Sequence, residues 1–430
     1  MKNPHQKTIV LSWCLYDWAN SAFTTTIMAA VLPIFFRRVA AATLPTDETH
    51  LATSIWGYTS AASMLLVAFF SLFLGPVSDY GSAKKRFLTL FAGFGMLSTA
   101  LLALAGRGDW LWVSILFILA EIGYGGSEVF YDSLLPHIAG PRELDRISVR
   151  AYALGYLGGG ILLAINIAMI FLIPGTVFEP GGAPVPVLGM QLSFLTVAVW
   201  WGVFTVPLLR NVPEPQQGHH PLSRVNLFAV AVERLSNTFL RIRQYRNIFI
   251  FIVAFWFYND GIGTIIKMAT IYGDEIGIGT FDLIGALLLT QAVGIPFSLA
   301  FGRLAAWIGA KRAILVGLAA YTGIALGGYF MTRAVHFWIL AVCVGLVQGG
   351  TQGLSRSLFA SLVPKEKSAE FFGFYNISGK FAGVVGPAVF GLVGQLGGTS
   401  RFGILSLIFF FVVGGVLLTA VKEKGTVGPS

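Results

Sequence analysis

Twelve times between residues 12 and 421 the chain runs for about twenty residues on apolar side chains nearly free of charge, the length a helix needs to cross a bilayer. The runs lie near 12–36, 51–74, 87–106, 110–133, 150–173 and 190–209, and then near 247–272, 280–301, 313–332, 336–358, 372–395 and 401–421. Only 11% of the 430 residues are charged, against about 25% in a soluble domain. Such a balance is tolerated where lipid is the solvent. The 51 glycines suit close helix packing in a membrane. The predicted fold is therefore all-α and integral to a membrane, with twelve transmembrane helices as two pseudo-symmetric six-helix bundles. The first run is read as a retained helix rather than a cleaved leader.

The basic residues predict an orientation. With the N-terminus cytoplasmic, 21 of the 29 fall on the cytoplasmic side. Five (Arg37, Arg38, Arg107, Arg333, Arg401) fall outside, and three (Lys267, Arg356, Lys380) lie within spans. This bias follows the positive-inside rule and places both termini in the cytoplasm. It also accounts for the net charge of +9, so nucleic acid is not an expected partner. Cys14 and Cys343 sit in apolar runs and form neither a disulfide framework nor a metal site.

The expected domains are 1–209 and 247–430, joined by a cytoplasmic linker over 210–246. In the linker, Val225, Phe228, Val232, Leu235, Phe239 and Ile242 recur at three- and four-residue steps among arginines. That pattern predicts a basic amphipathic helix on the membrane face. His219 and His220 read as exposed loop histidines rather than metal ligands.

The two sets of spans repeat each other. Gly75-Pro-Val-Ser-Asp79-Tyr-Gly-Ser-Ala-Lys84-Lys85-Arg86 follows the second span, and Gly302-Arg-Leu-Ala-Ala306-Trp-Ile-Gly309-Ala-Lys311-Arg312 follows the eighth, 227 residues on. Ser133-Leu-Leu-Pro136 matches Ser361-Leu-Val-Pro364 at an offset of 228. Gly155 and Gly159 match Gly379 and Gly383 at 224. Parallel halves of this kind are a transporter architecture with the solute path between them.

The loop after the second span resembles the signature loop of the major facilitator superfamily, with Asp79 at its acidic position and Lys84, Lys85 and Arg86 at its basic end. The second copy departs, carrying Ala306 in place of the acid. Ser12-Trp-Cys-Leu-Tyr16-Asp17-Trp18-Ala-Asn20-Ser21-Ala-Phe23 and Tyr258-Asn259-Asp260-Gly261 resemble the branch of autophagy-related vacuolar amino-acid effluxers and their bacterial relatives. The resemblance covers nearly the whole chain. It implies a solute transporter, with amino acids as candidate solutes and export as the favoured direction.

An ionisable side chain within hydrocarbon costs about 2.5–3.5 kcal/mol on insertion scales, so each one needs a reason. Glu121, Gly125, Glu128 and Asp132 step by four, three and four and form one acidic stripe. Gln348, Gln352 and Arg356 form another stripe, and the 228-residue offset maps Glu128 onto Arg356. Asp17, Glu128, Asp132, Arg356 and Lys380 lie toward the cytoplasmic ends of their spans and are expected to form gating ion pairs, with Asp79 in a gate role at its loop. For Asp132 and Arg356, snorkelling to the interface is the competing reading. Asn20, Phe23, Glu121, Trp256, Asp260 and Gln348 lie nearer the midplane. They are expected to contact solute, with Glu121 or Asp260 as a proton site. A hydrogen-bonded packing carboxyl is the alternative there. The glycines at 379, 383 and 386 read as close helix packing.

No metal-ligand spacing, nucleophile elbow or phosphate loop is present, so neither an enzyme, a cofactor nor direct ATP coupling is expected. The expected partners are a small-molecule solute, protons as coupling ion and membrane lipids, with the chain a monomer in a bacterial inner membrane. A lipid or amphiphile flippase on the same scaffold is the alternative.

Overall fold

The computed structural model describes residues 4–44, 55–56, 58–60, 62–67, 69–70, 78, 83–175, 185–215, 233, 236, 244–276, 278, 280–397 and 399–423. Its long helices are α1 (Pro4–Ala22), α2 (Lys84–Leu101), α3 (Trp110–Ile138), α4 (Leu144–Leu172), α5 (Val187–Asn211), α6 (Arg246–Glu275), α7 (Thr280–Ile308), α8 (Ala310–Tyr329), α9 (Ala334–Leu362), α10 (Ser368–Gly397) and α11 (Ser400–Thr419). Ten described helices are long and apolar enough to span a membrane. The other two predicted spans, 51–74 and 372–395, coincide with shorter apolar stretches at Tyr58–Val67 and Val385–Gly394. Most of the linker, including its predicted amphipathic helix, and Asp79 lie outside the described residues.

The helix α1 continues to Ala40 through two π-helical stretches, Phe23–Val31 and Phe36–Ala40. At the start of the first, the hydroxyls of Thr24 and Thr25 donate to the carbonyl of Ser21 at 2.9 and 3.0 Å. Threonines competing for helix carbonyls loosen the regular ladder. At the other extreme of tightness, α7 passes into α8 through Gly309 alone, at φ +87°, a conformation that suits glycine.

The chain divides into two compact units. The first holds residues 1–70, 83–131 and 154–214. There α5 packs against α1 and α2. A Cβ on Gly123 of α3 would fall on the backbone of Gly95 in α2, so these two helices touch main chain to main chain. The glycines of α4 lie on α1: Gly155 against Ser21, Gly158 against Trp18, and Gly159 against Ser21 and Thr25.

The second unit holds residues 71–82, 132–153 and 215–430, so it takes in the end of α3 and the start of α4. Within it α7 packs on α9, α6 on α10 and α11, and α8 on α9 and α11. Gly379 of α10 faces Asn259 and Phe255 of α6, and Gly386 faces Asp260 and Thr264. Glycines in α10 thus serve helix packing, as the glycines of α4 do on α1. Small residues let apolar helices approach closely where no hydrophobic drive separates helix from lipid.

Candidate functional site

In the first unit, the motif at the head of α1 is a set of pins into its neighbours. Ser12 Oγ accepts from Asn211 Nδ2 at 2.9 Å. Trp13 Nε1 donates to the carbonyl of Tyr131 at 3.0 Å and stacks on its ring at 4.5 Å. Tyr16 meets the same ring at 4.8 Å. Trp18 stacks on Trp200 at 5.6 Å. The side chains left over face polar partners. Asn20 Nδ2 donates to Glu128 Oε1 at 2.9 Å, and Asp17 is buried on the same helix.

Glu121 lies at the middle of α3 and is buried. Ser63 Oγ donates to its Oε2 at 2.9 Å, while Oε1 has no hydrogen-bond partner among the described residues. Phe23, expected to touch solute, is enclosed by Tyr124 at 5.2 Å and Trp201 at 5.7 Å. Its place is in an aromatic wall beside Asn20 rather than at an open surface.

In the second unit, Arg356 is seated on all sides. Its Nη1 lies 3.2 Å from Asp132 Oδ1. Its Nε donates to Ser148 Oγ at 2.9 Å and Nη2 to the carbonyl of Ser148 at 3.1 Å. The guanidinium lies over the Tyr152 ring, 4.4 Å from its centroid. Ser148 Oγ in turn donates to the carbonyl of Gly353 at 2.7 Å, and Ser357 Oγ donates to Asp145 Oδ1 at 2.5 Å. Arg356 and Asp132 are both buried, which overturns the snorkelling reading, since a snorkelling head group ends in water. The repeat offset pointed to Glu128 as the partner. The ion pair observed is with Asp132, one turn further along α3, and Glu128 instead takes the amide of Asn20. Lys380 lies on α10, with its side chain outside the described set.

Asp260 stands at mid-length of α6 and is 1% exposed. Neither of its carboxylate oxygens makes a hydrogen bond among the described residues. Trp256, one turn earlier, has a buried Nε1 without a hydrogen-bond partner among the described residues. Tyr258 between them points to α9, its hydroxyl 2.7 Å from Ser355 Oγ. Gln348 is half-buried on α9. The four residues Tyr258–Gly261 therefore split their work: Tyr258, Asn259 and Gly261 pack on α9, α10 and α11, and the Asp260 carboxyl is left without a side-chain hydrogen-bond partner among the described residues.

Several participants were not foreseen. Ser148 escaped because the fifth span was expected to begin near residue 150, whereas α4 begins at Leu144, and Tyr152 carries no signal beyond an aromatic ring in an apolar run. Ser63 carries no signal beyond a hydroxyl in an apolar run. Among the described residues no cluster of three or more His, Cys, Asp or Glu could hold a metal.

Buried carboxylates and a fully seated arginine on long apolar helices define an integral, multi-pass membrane protein of the transporter class. The fold agrees: it superposes on the human organic anion transporter MFSD10 (TETRAN) with a TM-score of 0.73 at 14% identity, covering 97% of this chain and 100% of that one. It also superposes on the proton:xylose symporter XylE with a TM-score of 0.71 at 13% identity, covering 98% and 96%. The fold is the major facilitator fold. Residues 5–427 match the family described as "Vacuole effluxer Atg22 like", and the chain belongs to that family. It is 41% identical over 414 residues to the MFS-type transporter YxiO of Bacillus subtilis (strain 168), covering 96% of this chain and 94% of YxiO. It is 23% identical over 535 residues to Autophagy-related protein 22-1 of Penicillium rubens, covering 95% and 88%. The chain is a transporter and not an enzyme.

Proposed function

We propose that the protein is a secondary active transporter that exports a small polar solute, an amino acid foremost, by alternating access coupled to protons. The observation that carries the reading is the pair of buried, incompletely satisfied carboxyls, Glu121 on α3 and Asp260 on α6. A buried carboxylate short of donors is costly as an anion and gains by taking up a proton or a positively charged group. In a transporter such a group earns its place by loading and unloading. Asn20, Trp256 and Gln348 are the polar and aromatic neighbours that would meet solute, with Phe23 as supporting wall. Asp17, Asp79, Glu128, Asp132, Arg356 and Lys380 are the gating charges, and the Asp132–Arg356 ion pair supports that part of the reading. The proposed organisation keeps halves at 1–209 and 247–430 with a linker over 210–246. Twelve spans, both termini cytoplasmic and a monomer in a bacterial inner membrane belong to the same reading.

The test is transport in proteoliposomes with and without a pH gradient. A thermal-shift screen against amino acids, peptides, sugars and nucleosides would first identify the solute, since ligand binding raises apparent stability by mass action. Glu121→Gln and Asp260→Asn should then lose gradient dependence. Gradient-driven transport unchanged in both variants would end the proton assignment.

A further inference from the structure

The packing of α10 on α6 gathers oxygen atoms around Asp260, whose neighbouring positive groups are the backbone N–H of Gly386 and, further off, Lys267. Asp260 is 1% exposed and both of its carboxylate oxygens lack hydrogen bonds among the described residues. Gly386 permits the approach: a Cβ there would come within 2.6 Å of Asp260 Oδ1 and would also strike Thr264 Oγ1. Thr264 donates its hydroxyl hydrogen to the carbonyl of Asp260 at 2.7 Å, which leaves the lone pairs of its oxygen free. Pro387 follows Gly386 inside α10 and has no N–H. The carbonyl at residue 383, one turn back on the same face, is thereby deprived of its helical donor. Two carboxylate oxygens, a hydroxyl oxygen and a released carbonyl thus lie within one turn of a helix-helix contact.

Among the described residues the charges that could neutralise Asp260 are few. Lys267 is the one lysine described on α6; it lies seven residues on, about 10 Å along the axis, and is exposed. Tyr258, Asn259 and Thr264 are neutral, and Trp256 offers a single indole N–H. A hard monovalent cation suits a set made of oxygen alone, and released backbone carbonyls beside a carboxylate are the usual means of holding such an ion within a membrane.

We infer that Asp260, Thr264 and the carbonyl at residue 383 form a binding site for a monovalent cation, either an inorganic ion or the ammonium group of the solute. The site rests on the transporter reading above and refines it: Asp260 takes up the cation in exchange for a proton, while Glu121 carries a proton alone. Gly386 is part of the site because only a missing side chain leaves room for the ion.

The experiment measures the apparent Tm of the purified full chain in detergent at pH 8. Chlorides of sodium, lithium, potassium and methylammonium are titrated against N-methyl-D-glucamine chloride at equal ionic strength. At least one should raise the Tm saturably. The response should vanish in Asp260→Asn and Gly386→Ala and persist in Glu121→Gln. A response to an alkali ion alone assigns the site to that ion, and a response to methylammonium alone assigns it to the solute's ammonium. No cation-specific shift in the wild type, or a full shift in Asp260→Asn, overturns the site. The two proposals fail separately. If the shift is absent but Asp260→Asn still abolishes gradient-driven transport, the cation site falls and the transporter reading stands. If the shift is present but wild-type vesicles move no solute under any gradient, the reverse holds.

Discussion

Arg356 is a single side chain each of whose three guanidinium nitrogens makes a hydrogen bond. Removing one partner of a buried ion pair strands the other charge and costs about 3–5 kcal/mol. Arg356→Ala and Asp132→Ala should each lower the apparent Tm sharply. The double variant should be destabilised by less than the sum of the two, which a double-mutant cycle on thermal stability would show. Arg356→Lys should recover little, because a lysine ammonium cannot reproduce the fork to Ser148 or the stack on Tyr152. At this scale the sequence announces charges but not their partners. Glu121, Asp132, Asp260 and Arg356 stood out because each interrupts an apolar run. The choice of Asp132 over Glu128 as the arginine's partner depends on how far one helix is displaced along another, and one turn of displacement leaves no trace in a repeat offset.

Among the helices, the structure reveals a second repeat that the alignment of the halves did not show. Glu214, just past α5, accepts from the backbone N–H of Lys85 in the first turn of α2 at 3.0 Å, while Lys85 Nζ donates to the carbonyl of Val212 at 2.5 Å. Glu423, just past α11, accepts from the backbone N–H of Lys311 in the first turn of α8 at 3.0 Å, while Lys311 Nζ donates to the carbonyl of Val421 at 2.8 Å. Each clasp joins the start of one helix to the end of another and satisfies terminal groups that a helix alone leaves open. It escaped notice because its lysines are 226 residues apart and its glutamates 209, so no single offset aligns both. Burial raises the Glu214 carboxyl above its ordinary value of about 4.3, with the neighbouring lysines pulling the other way. A raised folded-state value means the folded chain holds this proton more tightly than the unfolded one. The associated stability is present below the unfolded value and lost as pH rises through the folded one. Glu214→Gln keeps an acceptor for Lys85 and should flatten the pH dependence of the apparent Tm across that window. Glu214→Ala should cost about 1 kcal/mol, the scale of a lost helix cap. The helices themselves, and the packing role of the glycines of α10, were legible from apolar length and glycine spacing; the helices they pack against were not. The π-helical stretch of α1 was not, although the run Thr24-Thr25-Thr26 marks its start.

Taken whole, the sequence divides most naturally at its linker, while the packing divides elsewhere. Residues 132–153 end more than fifty positions before the linker and are built into the unit that contains α6 to α11. A chain cut within the linker should therefore yield pieces that depend on each other. The second piece made alone should be degraded, because Arg356 would be buried without Asp132, Ser148 and Tyr152. Co-production of both pieces should restore a folded, co-purifying pair, with the yield of the second piece by immunoblot as the measure. Second pieces equally abundant with and without the first would refute this.

The seat of Arg356 also sets an order of events during synthesis. A ribosome makes Asp132, Asp145 and Ser148 well before it reaches residue 356. These polar groups enter the membrane ahead of the guanidinium that will bind them and wait there through the synthesis of α5 to α8. The ion pair of Asp132 with Arg356 can therefore close only after α9 has been made.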